Sequence, residues 1–241
     1  MKIRYSAVRA ALLCSLVLGG ALLVTPATAL ARTTTKATIS ASSYTPSYGD
    51  EVKLTATLKT SSGSAVSGRT LKIQRWTGTE WTTIKSAETN SKGKIYTYKI
   101  PYGKKTTKYR ARYSGSTKYY PATSSIITVK PRAYLTKPVG PSTWTVASPF
   151  TVKGWLKPAH PVNTAAVFVY RYHGTSASGP WTQDGRAVGY AKKTAAGDYY
   201  YAATVMIPDS PYKYWRFRAY HPNDAWNSAK WSSEVIWMVN D

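Results

Sequence analysis

The residues that could carry out a reaction or hold a metal are few and widely separated. The three histidines, His160, His173 and His221, fall in predicted loops or at a strand end, and none has a second His or Cys at metal-site spacing. Asp50 and Glu51 are adjacent, but their side chains would point to opposite faces of a strand. The sequence has no G-x-S-x-G, Walker or H-E-x-x-H motif. We therefore expect a protein that is not an enzyme, with no catalytic residue, no cofactor and no metal.

The residues that could bind a partner alternate along predicted strands of the second half of the chain. If Val167 and Val169 share the core with Trp215 and Phe217, the alternate side chains of both strands face outwards together. The predicted outward binding residues are Tyr170, Tyr172, Tyr214, Arg216, Arg218 and Tyr220. Aromatic planes interleaved with arginines suit sugar rings, acidic glycans or a protein partner. The alternative is a cross-strand aromatic stack that stabilises only its own sheet.

A basic stripe is predicted in the first half by the same alternation. If Tyr109, Ala111 and Tyr113 face the core, then Lys108, Arg110 and Arg112 face outwards. Like charges on adjacent strands are unfavourable, so the stripe favours an anionic partner. The alternative is a solvated basic face with no ligand.

The net charge supports an anionic partner in general. The chain has 33 Lys and Arg against 10 Asp and Glu, a formal charge of +23. Residues 32–130 hold 18 basic and 4 acidic residues, whereas residues 131–241 hold 12 and 6. Such a surplus attracts polyanions, although it also serves solubility alone. We expect an anionic envelope polymer, a glycan or a surface protein as partner, and no specific nucleic acid.

The first residues predict secretion. Lys2, Arg4 and Arg9 precede the apolar run 10–24, and Ala29 and Ala31 complete an A-x-A cleavage site. The alternative is an uncleaved anchor, but the run is shorter than a membrane span. We predict a signal peptide over residues 1–31 and an extracellular protein, free or held non-covalently at the cell surface, whose mature form has no transmembrane segment. The single cysteine, Cys14, is lost with the leader, so no disulfide supports the fold.

After the leader, short alternating β-type runs separated by Gly, Pro, Ser and Asn predict about seven strands in each half, as in an immunoglobulin-like sandwich. The halves repeat one plan. The matched pairs are Leu54–Leu58 with Val152–Leu156, Leu71–Trp76 with Val167–Tyr172, Tyr109–Arg112 with Trp215–Arg218, and Ser124–Ser125 with Ser232–Ser233. The predicted fold is therefore all-β, with tandem immunoglobulin-like sandwiches over residues 32–130 and 139–241 joined by a linker over 131–138.

The first half resembles the bacterial immunoglobulin-like domains of secreted and surface proteins of actinobacterial type. The resemblance spans Ala37–Val129 and rests on a Tyr-Gly before the second strand, the Gln-Arg-Trp strand, a second Trp in the hairpin and the Tyr-Arg-x-x-Tyr-x-Gly segment at Tyr109–Gly115. The second half, with Gly-Trp-Leu-Lys-Pro and Trp-Arg-Phe-Arg-Ala, looks like a partner module of such domains. The resemblance implies a spacer, an adhesin or a binding module.

Three functions follow as hypotheses. The first is a secreted, non-enzymatic binding or adhesion module for anionic envelope polymers, glycans or a surface protein. The second is a structural extracellular spacer or matrix protein without a specific ligand, and the third is an inhibitor or effector of an extracellular enzyme. The exposure of the aromatic side chains in the second half separates the first two hypotheses.

Overall fold

The computed structural model describes residues 31–96, 100–101 and 105–239. Within these ranges the chain consists of antiparallel strands, turns and loops without a helix, which confirms the predicted all-β class. Consequently, these residues include no helix that is long and apolar enough to cross a lipid bilayer. Residues 1–30 of the predicted signal peptide, which include Cys14, lie outside the described part of the chain.

The first half forms two small sheets around one core. Its strands are β1 (Thr35–Ala41), β2 (Glu51–Val52), β3 (Leu54–Thr60), β4 (Thr70–Trp76), β5 (Trp81–Glu88), β6 (Lys94–Tyr96), β7 (Ile100–Pro101), β8 (Thr107–Tyr113), β9 (Ala122–Thr123) and β10 (Ile127–Val129). One sheet has the order β1-β3-β6 and the other β10-β8-β4-β5, with β9 beside β8 and a separate pair formed by β2 and β7.

The alternation of side chains explains this core. Every second residue of β3, namely Leu54, Ala56 and Leu58, is fully buried. On β8 of the opposite sheet, Tyr109 and Ala111 are buried in the same cluster. Because successive strand residues point to opposite faces, the polar residues between them reach the surface. The strand phase predicted for β3 and β8 is therefore confirmed.

The second half folds one continuous sheet around its core. Its strands are β11 (Tyr134–Leu135), β12 (Phe150–Lys157), β13 (Ala165–Gly174), β14 (Trp181–Lys193), β15 (Tyr199–Val205), β16 (Tyr214–His221) and β17 (Lys230–Met238). The strand order is β11-β12-β15-β14-β13-β16-β17. The long β14 pairs with β13 along most of its length and with β15 at its end, so it carries the chain from one layer to the other.

A glycine makes this change of layer possible. Gly189 on β14 pairs with Val167 on one side and Ala203 on the other, next to a register shift in β13. A Cβ at this position would overlap Cγ2 of Val167, which is itself buried. The close approach of the paired strands β13 and β14 therefore requires the absence of a side chain at Gly189.

Two buried serines confirm the internal repeat. In the first half, Oγ of Ser124 accepts the N–H of Ala111 at 2.9 Å, and in the second half Oγ of Ser232 accepts the N–H of Ala219 at 2.9 Å. Each hydroxyl also donates to the carbonyl of the next residue, at 2.8 and 2.5 Å. The same hydrogen-bond pattern thus ties the residue after β9 to β8 in the first half and β17 to β16 in the second.

The serine pattern also corrects the sequence alignment of β8 with β16. Ala219 corresponds to Ala111, which places Phe217, and not Trp215, over Tyr109. The alignment suggested by the similar Trp-Arg-Phe-Arg and Tyr-Arg-Ala-Arg segments is wrong by two residues. A shift of two keeps the same side chains in the core, so strand alternation alone gave no sign of it.

The stretch 131–138, predicted as a linker, is bonded to both halves. The N–H of Arg132 donates to the carbonyl of Pro46 at 2.8 Å, and the carbonyl of Pro131 accepts the N–H of Ser228 at 2.7 Å. The same stretch contains β11, which pairs with β12. The separation into two independently folding domains stays a prediction.

Replacing Gly189 with Ala tests the tight packing at the point where β14 passes from pairing with β13 to pairing with β15. We expect a loss of about 1–3 kcal/mol in the free energy of unfolding, because the new methyl group overfills a packed site. Urea unfolding followed by tryptophan fluorescence measures the loss. Gly185→Ala is the control, since its Cβ would lie 3.3 Å from a terminal nitrogen of Arg171, a side chain that can shift. Equal losses of unfolding free energy in the two variants would show that Gly189 has no special packing requirement.

Candidate binding surface

The outer face of β14, β13, β16 and β17 presents a regular lattice of arginines and aromatic rings. The strand registers align three rows, Val188–Phe168–Tyr220–Trp231, Arg186–Tyr170–Arg218–Glu234 and Gln183–Tyr172–Arg216–Ile236. We call these twelve residues, together with Trp181, the arginine–aromatic face. The inward residues of the same strands, including Val169, Trp215 and Phe217, form the core.

The predicted strand phase is confirmed on this face. Tyr170, Tyr172, Arg216, Arg218 and Tyr220 lie together in the lattice, and all are half-buried. The sixth predicted residue shares the phase but lies at the end of the sheet. This residue is Tyr214, which pairs with Gly174 and Met238.

The arginines of the face lie over aromatic rings. The guanidinium carbon of Arg216 is 4.3 Å from the ring centre of Tyr172 and 5.1 Å from that of Trp181. Arg186 lies 4.7 Å above Phe168. Such contacts contribute about 0.5–1 kcal/mol each at exposed sites.

Trp231 is the member of the lattice that sequence reasoning missed. Its ring centre lies 5.0 Å from that of Tyr170 and 4.6 Å from that of Tyr220, and Arg218 stands 5.0 Å above it. The ring is 37% exposed. The pairing of β16 with β17 shifts register between Arg218 and Tyr220, so Trp231 and Glu234 share a face although they are three residues apart. A strict alternation would place them on opposite faces, and the bulge therefore hid Trp231.

The face carries a positive charge. Arg216 is 3.4 Å from the carboxylate of Glu234, whereas Arg186 and Arg218 have no carboxylate partner among the described residues. The Nε groups of Arg216 and Arg218 are buried without a hydrogen-bond acceptor in the same part of the chain. Three guanidinium groups against one carboxylate, set among aromatic rings, suit an anionic or hydroxyl-rich ligand.

The predicted basic stripe of the first half is present on the outer face of β8. Lys108 and Arg112 are exposed, while Arg110 is held in place. Its Nε donates to Oε1 of Gln74 at 2.8 Å, and its guanidinium lies 4.3 Å above the ring of Trp81. Desolvation and the charge of Arg112 lower the pKa of Arg110 below its usual value, but the group stays cationic at neutral pH.

The two halves present the same lattice with different side chains. The serine-based alignment and the strand registers give these equivalent positions: Lys72 and Phe168, Gln74 and Tyr170, Arg110 and Arg218, Arg112 and Tyr220, Thr123 and Trp231. Only the arginine at the centre is common to both. Basic or polar side chains in the first half are replaced by four aromatic rings in the second.

A second aromatic surface lies on the opposite layer of the second half and was not predicted. Trp155 on β12 is 45% exposed and pairs with Tyr200 on β15. Both line a shallow cleft of about 390 Å³, together with Val139 and Lys153. The cleft offers one exposed ring platform without an arginine among its described lining residues.

The structure also brings together residues that the sequence separates widely. His160, His221 and Asp224 converge at the end of β16, whereas His173 stacks on Tyr212 elsewhere, at 3.9 Å between ring centres. Desolvation and the neighbouring His160 lower the pKa of His221 to about 4, so it is neutral at neutral pH. In the sequence, the histidines were compared only by their spacing along the chain. The fold brings His160, His221 and Asp224 together although they are far apart in the sequence.

The sequence matches no family model and no curated protein. Among solved structures, it is similar to bovine butyrophilin, with a TM-score of 0.55 and 13% identity over 86% of this chain and 99% of that one. The fold is immunoglobulin-like.

Looser similarities extend to two other structures. The tetra-tandem repeat in the extending region of a large adhesion protein aligns at a TM-score of 0.36 and 9% identity, over 85% of this chain and 49% of that one. The D0-D1 domain of intimin aligns at 0.32 and 16% identity, over 83% and 97%. At these levels neither match bears on what the chain binds.

A double-mutant cycle tests the central contact of the arginine–aromatic face. We expect a coupling of about 0.5–1 kcal/mol between Arg218→Gln and Trp231→Ala in the free energy of unfolding, because the guanidinium lies over the ring. The control cycle combines Arg186→Gln with Trp231→Ala, since Arg186 contacts Phe168 two strands away. Equal coupling in both cycles would contradict the geometry.

Proposed function

We propose that the chain is a secreted, non-enzymatic binding module of bacterial type whose ligand is an anionic glycan polymer of the cell envelope. The observation that carries this proposal is the replacement, at equivalent positions, of Lys72, Gln74, Arg112 and Thr123 by four rings around a shared arginine. Core packing does not require this change, because all these positions face outwards. Both halves keep the same arrangement of outward positions but fill them with different side chains, which favours a different binding role for each half.

The first half supplies long-range attraction. Its outer face displays Lys108, Arg110 and Arg112 within a segment that carries 18 of the basic residues and only 4 acidic ones. Charge of this kind raises the rate of encounter with a polyanion and is weakened by salt. It does not distinguish one polyanion from another.

The second half supplies selectivity. Tyr170, Tyr220 and Trp231 form a continuous ring surface, and Arg218 brings a cation into it. Rings stack on the apolar faces of sugars, and the guanidinium pairs with carboxylate or phosphate groups. An acidic glycan has both an apolar sugar face and an anionic group in one repeating unit.

A surface protein is a second candidate partner, and one observation favours it. Val188 and Ile236, at opposite edges of the arginine–aromatic face, are each more than a third exposed. Apolar side chains around aromatic and arginine residues are typical of protein hot spots. A protein ligand would cover this rim, whereas a glycan would leave it in water.

Retention on immobilised anionic polysaccharide tests the role of the first half. The mature protein is eluted with a salt gradient, because screening shortens the electrostatic range from about 10 Å at 0.1 M to about 3 Å at 1 M. We expect the triple variant Lys108→Gln, Arg110→Gln, Arg112→Gln to elute at clearly lower salt than wild type.

The matched control for that experiment removes the same charge elsewhere. Lys36, Lys59 and Lys92 are exposed and lie on β1, on β3 and in the turn before β6. Their triple Gln variant is expected to elute close to wild type. If both triples elute equally early, net charge alone causes retention and the stripe is a solvated face.

Selectivity is tested with two further variants on a panel of anionic and neutral glycans. Tyr170→Ala combined with Trp231→Ala is expected to abolish the preference for one acidic glycan while salt-sensitive retention persists. Trp155→Ala alters the opposite cleft and is expected to leave the preference unchanged. A wild-type protein without preference among polyanions would support the spacer hypothesis instead, and loss of preference in Trp155→Ala alone would move the site to the cleft.

Secretion is part of the proposal and rests on the predicted leader. Intact-mass measurement of the extracellular protein is expected to give a chain that begins near Arg32. A retained leader in that fraction would contradict secretion by a cleaved signal peptide.

A further inference from the structure

Two buried histidines and one carboxylate each turn one potential ligand atom towards a common centre. His160 follows β12, His221 ends β16, and Asp224 lies in the loop before β17. The Nε2 atoms of the histidines are 2.9 Å apart. Oδ2 of Asp224 lies 3.2 Å from Nε2 of His160 and 3.6 Å from Nε2 of His221. The side chains of His160 and His221 are 6% and 1% exposed, while that of Asp224 is 32% exposed.

The hydrogen bonds fix which atoms carry lone pairs. Nδ1 of His160 lies 2.8 Å from the carbonyl of Pro158. A carbonyl can only accept, so Nδ1 carries the proton and Nε2 of the neutral ring presents its lone pair to the centre. A ring nitrogen that donates to a backbone carbonyl is the arrangement that orients metal-binding histidines.

The carboxylate is oriented in the same way. Oδ1 of Asp224 accepts the N–H groups of Trp226 and Asn227, at 2.8 and 2.6 Å. The second oxygen, Oδ2, is thereby turned towards the two imidazoles. Although partial burial acts to raise it, these backbone donors and the histidines lower the pKa of Asp224 below its ordinary value, so the group is anionic at neutral pH.

The three atoms have the spacing of one face of a metal coordination sphere. A circle through atoms separated by 2.9, 3.2 and 3.6 Å has a radius of about 1.9 Å, slightly less than the ~2.0–2.1 Å of zinc–nitrogen and zinc–oxygen bonds. An ion at bonding distance from all three would therefore sit a little above their plane, as in a tetrahedral site. We propose that His160, His221 and Asp224 bind one divalent transition-metal ion of the zinc type.

The donor set selects the class of ion. Two imidazoles and one carboxylate suit zinc and its neighbours, whereas calcium and magnesium require sets of oxygen ligands. When the ion binds, it replaces the proton that Nε2 of His221 shares with His160. That proton moves to Nδ1 of His221, so the imidazole ring stays neutral.

The site would strengthen the junction between the halves. The loop that holds Asp224 also holds Trp226, whose carbonyl accepts both the N–H of Thr106, at 2.9 Å, and its hydroxyl, at 2.8 Å. The ring of Trp226 lies 5.6 Å from that of His160. An ion that joins this loop to the segment after β12 therefore restrains the loop that contacts the first half.

Titration of the tag-free mature protein with zinc and with cobalt tests the proposal. Calorimetry is expected to give one zinc per chain, and cobalt is expected to give the visible absorption bands of a low-coordinate site. A hundredfold excess of zinc over its Kd should raise the Tm of the mature protein by about 5–10 °C. Magnesium and calcium at the same concentrations should change neither signal.

Variants separate this site from adventitious binding. His221→Gln and His160→Gln are expected to weaken zinc binding at least tenfold, while His173→Gln, which removes a histidine outside the cluster, leaves it unchanged. Asp224→Asn keeps the acceptor for the two backbone N–H groups, so it should fold normally and still lose at least tenfold in affinity. Equal zinc affinity in wild type and Asp224→Asn, or a loss that His173→Gln reproduces, would overturn the proposal.

Discussion

The register between β13 and β16 is the constraint on which both the core and the candidate surface depend. Each strand gives alternate side chains to the core, with Val169 on one strand beside Ala219 on the other. The same register sets Tyr170 beside Arg218 on the outside. The mature chain is predicted to have no cysteine, so the core closes without a disulfide and depends on this packing. A slip of one residue would exchange the two faces and remove core and surface together.

This coupling explains what the sequence could predict. The burial of Leu54, Ala56, Tyr109 and Phe217 follows from alternation, since polar neighbours leave one apolar face on each strand. The outward position of Arg216 follows from the same rule. Element type and strand phase were therefore accessible from local pattern alone.

Features that depend on irregular backbone or on distant contacts were not accessible. A bulge in β17 changes the phase between Trp231 and Glu234, and no local pattern marks it because Ser232 fills the bulge with its own hydrogen bond. The two-residue offset in the alignment of β8 with β16 leaves the same side chains buried, so the alternation pattern does not reveal it. His160 and His221 meet only because the segment after β12 and the end of β16 come together in the folded chain. Register, bulges and loop closure are tertiary properties.

The comparison of the two halves separates the features that both share from the side chains that differ. The serine hydroxyl that caps the N–H of Ala111 recurs at Ala219, and an arginine recurs at the centre of each outer face, as Arg110 and Arg218. Each arginine lies over a tryptophan, but the two tryptophans, Trp81 and Trp231, come from different strands. A cation over a ring is thus a structural solution that each half reaches separately. The additional rings of the second half go beyond that solution.

The joining segment determines how these two outer faces can act on one ligand. A flexible linker would let each face bind alone and would raise the joint affinity only through effective concentration. Here Arg132 bonds to Pro46 of the first half, and Pro131 bonds to Ser228 of the second. Thr106 adds two hydrogen bonds to Trp226 across the same junction. Because these contacts restrict the join, a polymer that reaches both faces must match their fixed spacing. For the polymer ligand proposed above, the junction would therefore add a selection by geometry to the selection by chemistry expected of the rings.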